Sequence, residues 1–200
     1  PDDLLTMLLE SKYEDSGMGM EEEQLIDECL ILFVAGHETS ANGLAWAWYL
    51  LSQHPEALTK IREELQHVVG ERTVAFEDLP KLEYLSQVVD EILRMYPPAW
   101  ITDRMAIEDD EFNGIKIAKG AIVATYIYGA HHSPEHWDSP DVFRPERFAK
   151  NAKIQPFAYL PFGGGPRLCI GNHFALMEMQ LVIAEMARRY DFELEPGHEV

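Results

Sequence analysis

The sequence predicts a mainly helical α+β fold with a small antiparallel sheet, on the basis of three observations. The stretch from Glu21 to Ser52 contains no proline and is apolar enough to form a long central helix. Lys81 to Tyr96 repeats apolar residues with the period of an amphipathic helix, which Pro97 ends. After Pro98, β-branched residues alternate with others, as is typical of strands. Because 200 residues with 46% hydrophobic content can bury one core, we expect a single domain.

Capping and hydropathy predict the first two helices. Asp3 can cap a short helix that ends near Ser11, and Lys12 to Met20 is a polar link that contains glycine. The central helix, predicted over 21–52, would be about 50 Å long at a rise of ~1.5 Å per residue. Its residues from Cys29 to Ala35 are almost all apolar, which predicts that this part of the helix is buried on all sides.

Two glycines and a polar group interrupt the apolar character of the central helix. Gly36 and Gly43 each cost about 1 kcal/mol relative to alanine, and the polar group His37–Ser40 lies between them. One interpretation is a buried kink whose polar groups are satisfied. The other is a helix opened so that a threonine hydroxyl and a carboxylate face a cavity. The residues alone slightly favour the first.

Along the rest of the chain, helices are predicted before and after a small sheet. The turn signals Asn113-Gly114 and Lys119-Gly120 separate the strand segments within the sheet, predicted over 104–128. The loop that follows is long, and long loops inside a domain are usually functional. In order, the predicted elements are a helix over 55–69, a turn over 76–79, the helix over 81–96, strand segments over 105–107, 112–117 and 121–128, a loop over 130–171 and a long helix over 172–190.

The composition argues against several classes of protein. A net charge of −19 disfavours nucleic acid as a partner, because phosphate binding needs a basic surface. The two cysteines, Cys29 and Cys169, are too few for a disulfide framework, and a reducing compartment is the mild preference. Cys29 lies in an apolar run that is typical of a buried thiol. The sequence shows no signal peptide and no apolar run that could span a bilayer.

The stretch from Phe162 to Gly171 places three glycines, a proline and an arginine ahead of Cys169. Such residues form a loop rather than regular structure. The helix predicted over 172–190 would aim its first free N–H groups towards Cys169, and these donors favour an anion. A thiolate in this position is either a nucleophile or a soft metal ligand.

Three kinds of site are compatible with such a cysteine. A metal site could combine His131, His132 and His136 with Cys169 and His173, but two adjacent histidines point their side chains apart. A cysteine hydrolase could use His173 or His131 as its base, but no base stands at a recognisable spacing. The third kind is axial ligation of haem iron by the thiolate.

Four motifs, in a fixed order, favour the third kind of site. The pattern F-x-x-G-x-R-x-C-x-G matches Phe162 to Gly171 without a gap. It is preceded by A-G-x-E-T at Ala35–Thr39, E-x-x-R at Glu91–Arg94 and P-E-R-F at Pro145–Phe148. With these motifs the sequence resembles the cytochrome P-450 family of haem-thiolate monooxygenases. The resemblance covers essentially all 200 residues and implies the cytochrome P-450 fold, incomplete at the N-terminus, with the chain as the C-terminal portion of the domain.

The resemblance implies roles for the cysteine loop. Cys169 would be the axial ligand of the iron in haem b (iron protoporphyrin IX), with its thiolate tuned by nearby backbone N–H groups. Phe162 would shield this loop. Gly165 and Gly171 would let the backbone approach the porphyrin closely.

The resemblance also implies a catalytic pair in the central helix. Thr39 would hydrogen-bond the bound dioxygen, and Glu38 would belong to the relay that delivers protons to it. Such chemistry needs protons in a dry pocket, which an acid and an alcohol beside a helix opening can supply. Ser40 replaces a second threonine that is common in the family.

The resemblance changes the interpretation of Glu91 and Arg94 from an exposed pair to a buried one. As isolated residues three apart on a helix they are best interpreted as an exposed pair worth a few tenths of a kcal/mol. The resemblance instead implies that they join Arg147 in a buried salt-bridge network behind the cysteine. Losing one partner of such a network should cost several kcal/mol.

The two propionates of haem need cations or donors. By resemblance these would be Arg167, Arg104 and His131, and arginine suits a carboxylate because its bonds are charge-assisted. His132 stands where the family often has arginine, and no role is assigned to it.

The implied activity is insertion of one atom of O₂ into a hydrophobic small molecule. Electrons would come from NAD(P)H through a ferredoxin- or flavoprotein-type donor. An apolar substrate is favoured because the residues that the resemblance places near it are apolar. They are Leu32, Phe33, Ala99, Trp100 and Ile101.

Two alternatives stay open at this stage. One is a haem-thiolate isomerase or dehydratase that needs no external O₂, although such enzymes tend to lack the Glu38-Thr39 pair. The other is an inactive haem-binding fragment. The sequence leaves membrane association open, and a bacterial, cytoplasmic location is the mild preference.

Overall fold

The computed structural model describes residues 3–198 and 200. It contains six α-helices and four short strands, so the predicted fold class is confirmed. The helices are α1 (Leu4–Glu10), α2 (Glu22–Gln53), α3 (Pro55–Val68), α4 (Glu83–Met95), α5 (Ile127–His131) and α6 (Asn172–Arg189). The strands are β1 (Thr102–Met105), β2 (Asp110–Phe112), β3 (Ile115–Ile117) and β4 (Ile122–Thr125). None of the described helices is both long and apolar enough to cross a membrane.

The chain divides into two units, one up to Thr39 and one from Ser40 onward. In the first unit, Asp3 caps α1 as predicted, since its carboxylate accepts a hydrogen bond of 2.8 Å from the backbone N–H of Thr6. The link that follows turns back on itself through a bridge between Lys12 and Gly19. The first unit ends within α2.

The predicted burial of α2 between Cys29 and Ala35 is wrong for the described residues. Phe33 and Val34 are exposed, and Cys29 is only half-buried. Hydropathy identifies side chains that favour burial, but it does not identify the segment that packs against them. The described residues of the first unit do not pack over most of the run from Cys29 to Ala35.

The core of the second unit lies between the remainder of α2 and helices α3, α4 and α6. The apolar stripe predicted for α4 packs into this core. Gly43 on α2 lets another side chain come close, because a Cβ atom there would lie 3.2 Å from Cε of Met179 on α6. The buried members of the stripe are Leu82, Leu85, Val88, Val89 and Ile92.

The strands pair as two antiparallel ladders of two strands each, β1 with β4 and β2 with β3. Asn113 and Gly114, with φ of 50° and 80°, form the predicted tight turn between β2 and β3. The last predicted segment, 121–128, is too long, because β4 ends at Thr125 and α5 follows. Ile127 and His131 are spaced four apart and both buried, so packing favours a helical turn here.

The segment between α5 and α6 is irregular, apart from short 3₁₀ turns at Pro145–Phe148 and Gly165–Arg167. An aromatic cluster organises it. The rings of Trp137, Phe148 and Tyr159 lie 4.7 to 6.4 Å apart, centroid to centroid. This cluster brings the middle of the long loop next to the stretch that leads to Cys169.

Candidate active site

The loop that carries Cys169 closes on its own base. The backbone N–H of Cys169 donates to the carbonyl of Phe162 at 3.1 Å, and that of Gly163 donates to Leu160 at 3.0 Å. Gly163 and Gly165 have φ of 74° and 69°, a region that residues with side chains adopt only with strain. The glycines are therefore required by the shape of the loop.

The outer surface of the loop is apolar and open. Cys169 is exposed between Leu168 and Ile170, and Ile170 is 95% exposed. The side chain of Arg167 is exposed on the same loop. An accessible thiol, apolar neighbours and a guanidinium fit a flat apolar cofactor that needs a thiolate ligand and a partner for a carboxylate.

Phe162 and Gly171 frame this loop. Phe162 is half-buried and packs against the core of the second unit, so its ring joins the loop to the helices behind it. Gly171 precedes the first residue of α6, and a Cβ atom there would lie 3.9 Å from Sγ of Cys169, an ordinary contact. The backbone N–H of His173 donates to the side chain of Asn172 at 2.7 Å rather than to the sulfur.

Behind the loop, Glu91 and Arg94 form a fully buried ion pair at the C-terminal half of α4. Nε and Nη2 of Arg94 donate to the two carboxylate oxygens of Glu91 at 2.7 and 3.0 Å. Both side chains have 0% of their surface exposed. Arg94 also donates to the carbonyls of His131 and Pro140, each at 2.8 Å, and lies over the ring of Trp137. The pair therefore holds two distant segments against α4.

Arg147 joins the same carboxylate from the long loop. Its Nε lies 3.3 Å from Oε1 of Glu91, which also accepts the backbone N–H of Arg144 at 2.8 Å. The other nitrogens of Arg147 donate to the carbonyls of Asp138, Ser139 and Val142. One carboxylate thus pairs with two guanidinium groups, and backbone carbonyls accept most of the remaining N–H donors.

The chain that carries this loop and network matches a known family. The family model for cytochrome P450 matches residues 1–200. The chain belongs to the cytochrome P450 family.

Individual proteins of this family are similar in sequence to the chain. A Mycobacterium bovis protein named as cytochrome P450 132 is 41% identical over 99% of this chain and 42% of its own length. Rabbit (Oryctolagus cuniculus) cytochrome P450 3A6 is 39% identical over 92% of the chain and 37% of its own length. A cyclooctat-9-en-7-ol 5-monooxygenase from Streptomyces melanosporofaciens is 36% identical over 98% and 43%. The chain thus spans less than half the length of these curated relatives.

The structure corrects the role expected for His131 in this P450 chain. The side chain is 0% exposed, and both ring nitrogens are engaged within the protein. Nε2 accepts the backbone N–H of Leu160 at 2.8 Å, and Nδ1 lies 3.0 Å from the carbonyl of Arg94. No ring nitrogen is left to bind a propionate. His131 is a buried bridge between backbone segments instead.

Arg104 lies on β1 with an exposed side chain, and its Nη1 donates to the carbonyl of Asp103. Like Arg167 it is accessible to a carboxylate. Trp100 and Ile101, which precede β1, are exposed too, and the ring of Trp100 stands edge-on to Tyr126 at 6.2 Å. These accessible side chains therefore stay candidates for ligand contacts.

The predicted catalytic pair lies in the first unit. The hydroxyl of Thr39 donates to the carbonyl of Ala35, one turn earlier, at 2.6 Å. Glu38 is exposed, and α2 runs through both residues as one helix. Phe33, expected to contact substrate, is exposed and stacks on the ring of His37 with their centroids 5.9 Å apart. Leu32 is half-buried and Ala99 is exposed.

The metal site, and a hydrolase that uses His131 as its base, lack geometric support. No group of three or more His, Cys, Asp or Glu side chains in the described part of the chain could hold a metal ion. His132, which follows α5, bonds to the carbonyl of Tyr128 on that helix, and His136 bonds to Gln155, so the three neighbouring histidines have different partners. His131 uses its nitrogens elsewhere and is no base for Cys169.

One contact near the network was not predicted from the sequence. The hydroxyl of Tyr159 donates to Asp90, with distances of 3.0 Å to Oδ1 and 3.1 Å to the backbone carbonyl. Burial raises the pKa of Asp90 to about 6, while the bond from Tyr159 opposes the rise. No local pattern could have found this pair, because the two residues are 69 positions apart.

Proposed function

We propose that the chain forms the C-terminal portion of a cytochrome P450 domain, and that the whole protein is a haem-thiolate monooxygenase. It inserts one atom of O₂ into a hydrophobic organic substrate and reduces the other atom to water. The two electrons come from NAD(P)H, which is oxidised to NAD(P)⁺, through a separate ferredoxin- or flavoprotein-type donor. The observation that carries this proposal is the exposed thiol of Cys169 on an apolar loop, in a chain that matches the P450 family throughout.

The residues of the cysteine loop bind the cofactor, which we propose is haem b. When bound, haem supplies the chemistry that activates O₂. Cys169 binds the iron through its thiolate sulfur. The guanidinium of Arg167 pairs with a carboxylate of the cofactor. Leu168 and Ile170, both exposed in the chain, exclude water from its apolar ring.

In the same proposal, Thr39 and Glu38 handle protons at the oxygen site. The hydroxyl of Thr39 is held in position by the hydrogen bond that it donates to Ala35. Its oxygen can still accept a hydrogen bond from another donor. The carboxylate of Glu38 is exposed and can exchange protons with solvent. Monooxygenation is supported by the similarity to the Streptomyces monooxygenase. The location of the protein in the cell stays a prediction.

Replacing Cys169 with serine tests thiolate ligation directly. In the intact, haem-loaded protein, the carbon monoxide complex of the reduced form should show the absorption band typical of thiolate ligation, and Cys169→Ser should lose this band. Cys29→Ser is the matched control, because Cys29 lies in α2, within the first unit of the chain. It should keep the band. An unchanged spectrum in Cys169→Ser would overturn the proposed function.

Replacing Thr39 with valine should uncouple electron use from product formation. The side chain keeps its shape but loses the hydroxyl, so proton delivery slows by about 10² to 10⁴-fold. We expect NAD(P)H to be consumed with less product and more hydrogen peroxide. Thr59→Val is the matched control, since Thr59 also donates to a carbonyl four residues earlier, at 2.9 Å, but lies on α3. Equal coupling in the two variants would contradict the role of Thr39. Product formed without O₂ or reductant would indicate an isomerase or dehydratase instead.

A further inference from the structure

His131 joins two elements that are far apart in the sequence. One ring nitrogen faces the carbonyl of Arg94, at the end of α4, at 3.0 Å. The other accepts the backbone N–H of Leu160, at the start of the cysteine loop, at 2.8 Å. Both backbone groups are thereby satisfied by one imidazole. The ring thus connects the Glu91–Arg94 end of the helix to the loop.

The two bonds require a neutral imidazole with its proton on Nδ1. Nε2 accepts a hydrogen bond, so it carries no proton, and Nδ1 must donate to the carbonyl. Burial is the main cause that lowers the pKa of His131 to about 4; the bond to the carbonyl of Arg94 opposes the shift, and the charges of Arg94 and His132 add to it. The other titratable groups beside the ring are Tyr159, whose ring centroid lies 5.4 Å away, and, through Arg94, Glu91.

Further hydrogen bonds within the loop lie between Leu160 and Cys169. The carbonyl of Leu160 accepts the N–H of Gly163, and the carbonyl of Phe162 accepts the N–H of Cys169. The segment from Leu160 to Cys169 is therefore hydrogen-bonded to its own base. The Leu160 N–H that His131 accepts lies two residues before Phe162, whose carbonyl holds the N–H of Cys169.

A second contact joins the same two elements one residue earlier. Tyr159 precedes Leu160, and its hydroxyl bonds to Asp90, which lies one turn before Arg94 on α4. The ring of Tyr159 is held between His131 and Phe148, whose ring centroid lies 4.7 Å away. Two neighbouring loop residues are thus tied to one face of α4.

We propose that His131 is a positioning residue for Cys169: it fixes the start of the cysteine loop to α4, and the bond between Tyr159 and Asp90 supports it. This inference rests on the proposed thiolate ligation by Cys169. It goes beyond the Glu91–Arg94–Arg147 network, because His131 acts on the loop through a backbone N–H rather than by balancing a charge.

Hydrogen exchange tests the inference in the intact, haem-loaded protein. His131→Leu leaves the N–H of Leu160 without its partner, so exchange in a peptide covering 159–170 should speed up by about tenfold to a hundredfold. The thiolate band of the carbon monoxide complex should also decay faster at mildly raised temperature. His131→Gln offers an amide oxygen and an N–H in place of the two ring nitrogens, and it should restore both properties at least in part.

The neighbouring histidine provides a matched control. His132→Leu removes an imidazole that bonds to the carbonyl of Tyr128 on the preceding helix α5, so exchange over 159–170 should stay at the wild-type rate. Wild-type exchange in folded His131→Leu, or His131→Gln behaving like His131→Leu, would overturn the inference. If His131→Leu takes up no haem, Tyr159→Phe decides, since it loses only the bond to Asp90. Faster exchange over 159–170 in that variant supports the inference, and an unchanged rate overturns it.

Failure of the proposed function would look different. In that case Cys169→Ser would keep the wild-type spectrum, whatever His131→Leu does to exchange in the loop. Loss of the band in Cys169→Ser together with wild-type exchange in His131→Leu would leave the proposed function intact and reject the positioning role alone.

Discussion

Glu91→Ala should lower the free energy of unfolding by about 3–5 kcal/mol and abolish haem retention. The substitution leaves the guanidinium groups of Arg94 and Arg147 buried without their counter-charge. It also removes the acceptor of the backbone N–H of Arg144. Urea unfolding of the intact protein followed by tryptophan fluorescence, with haem content from absorbance, measures both effects.

The matched control for Glu91 is another glutamate in a short ion pair. Glu146 lies 2.7 Å from Nζ of Lys60, but both side chains are about half exposed. Water screens this pair, so Glu146→Ala should cost between about 0 and 1 kcal/mol. If Glu91→Ala were no more damaging than Glu146→Ala, the network would not be the brace that its burial indicates.

Asp90→Asn should make the stability of the protein rise more steeply with pH between about 4 and 6. Burial raises the pKa of Asp90 from 3.8 to about 6, so the folded state keeps a proton that the unfolded chain releases. Its contribution is present at low pH and lost as the pH rises through about 6. The change in pKa corresponds to about 3 kcal/mol. Measured against wild type, the free energy of unfolding of Asp90→Asn should therefore rise by about that amount across this window.

His131 makes the free energy of unfolding depend on pH in the opposite direction to Asp90, over an overlapping pH range. Burial lowers its pKa from 6.5 to about 4, so on acidification the unfolded chain takes up a proton before the folded state does. Its contribution is present above pH 6.5 and lost as the pH falls towards about 4. In wild type the two slopes largely cancel. Because glutamine does not titrate, the free energy of unfolding of His131→Gln minus that of wild type should rise by about 3 kcal/mol as the pH falls from 6.5 to 4.

Urea midpoints of the three proteins, measured at a series of pH values, check both slopes. Taking each variant minus wild type removes the contribution of the many surface carboxylates, which titrate alike in all three. A difference that stays level with pH in either variant would show that the corresponding group does not change its protonation on folding as its burial implies.

The helices were predictable because their signal is local. The amphipathic stripe of α4 and the proline that follows it predict a helix over 81–96, and the structure has Glu83–Met95. The long helix predicted over 172–190 is Asn172–Arg189. Periodicity and breakers act within one or two turns, so neighbouring residues carry enough information. The same local signal could not predict that most of the run from Cys29 to Ala35 is exposed among the described residues.

Burial of polar groups was not predictable from local pattern. As isolated residues Glu91 and Arg94 are an exposed pair, whereas in the fold Arg94 is buried against the carbonyls of His131 and Pro140. His131 was expected at a propionate, yet its partners are Arg94 and Leu160. Each of these partners lies some thirty or more positions away, where no periodicity reaches.

The sequence by itself determined helices α1 to α4 and α6, the tight turns and the family, because these depend on neighbouring residues and on motifs that occur in a fixed order. It also determined that Cys169 stands on a glycine-rich loop ahead of a helix. Only the tertiary structure decided which charges are buried and what His131 does. A charge or an imidazole is buried only where distant segments bring hydrogen-bond partners to it, and those segments meet only in the folded chain.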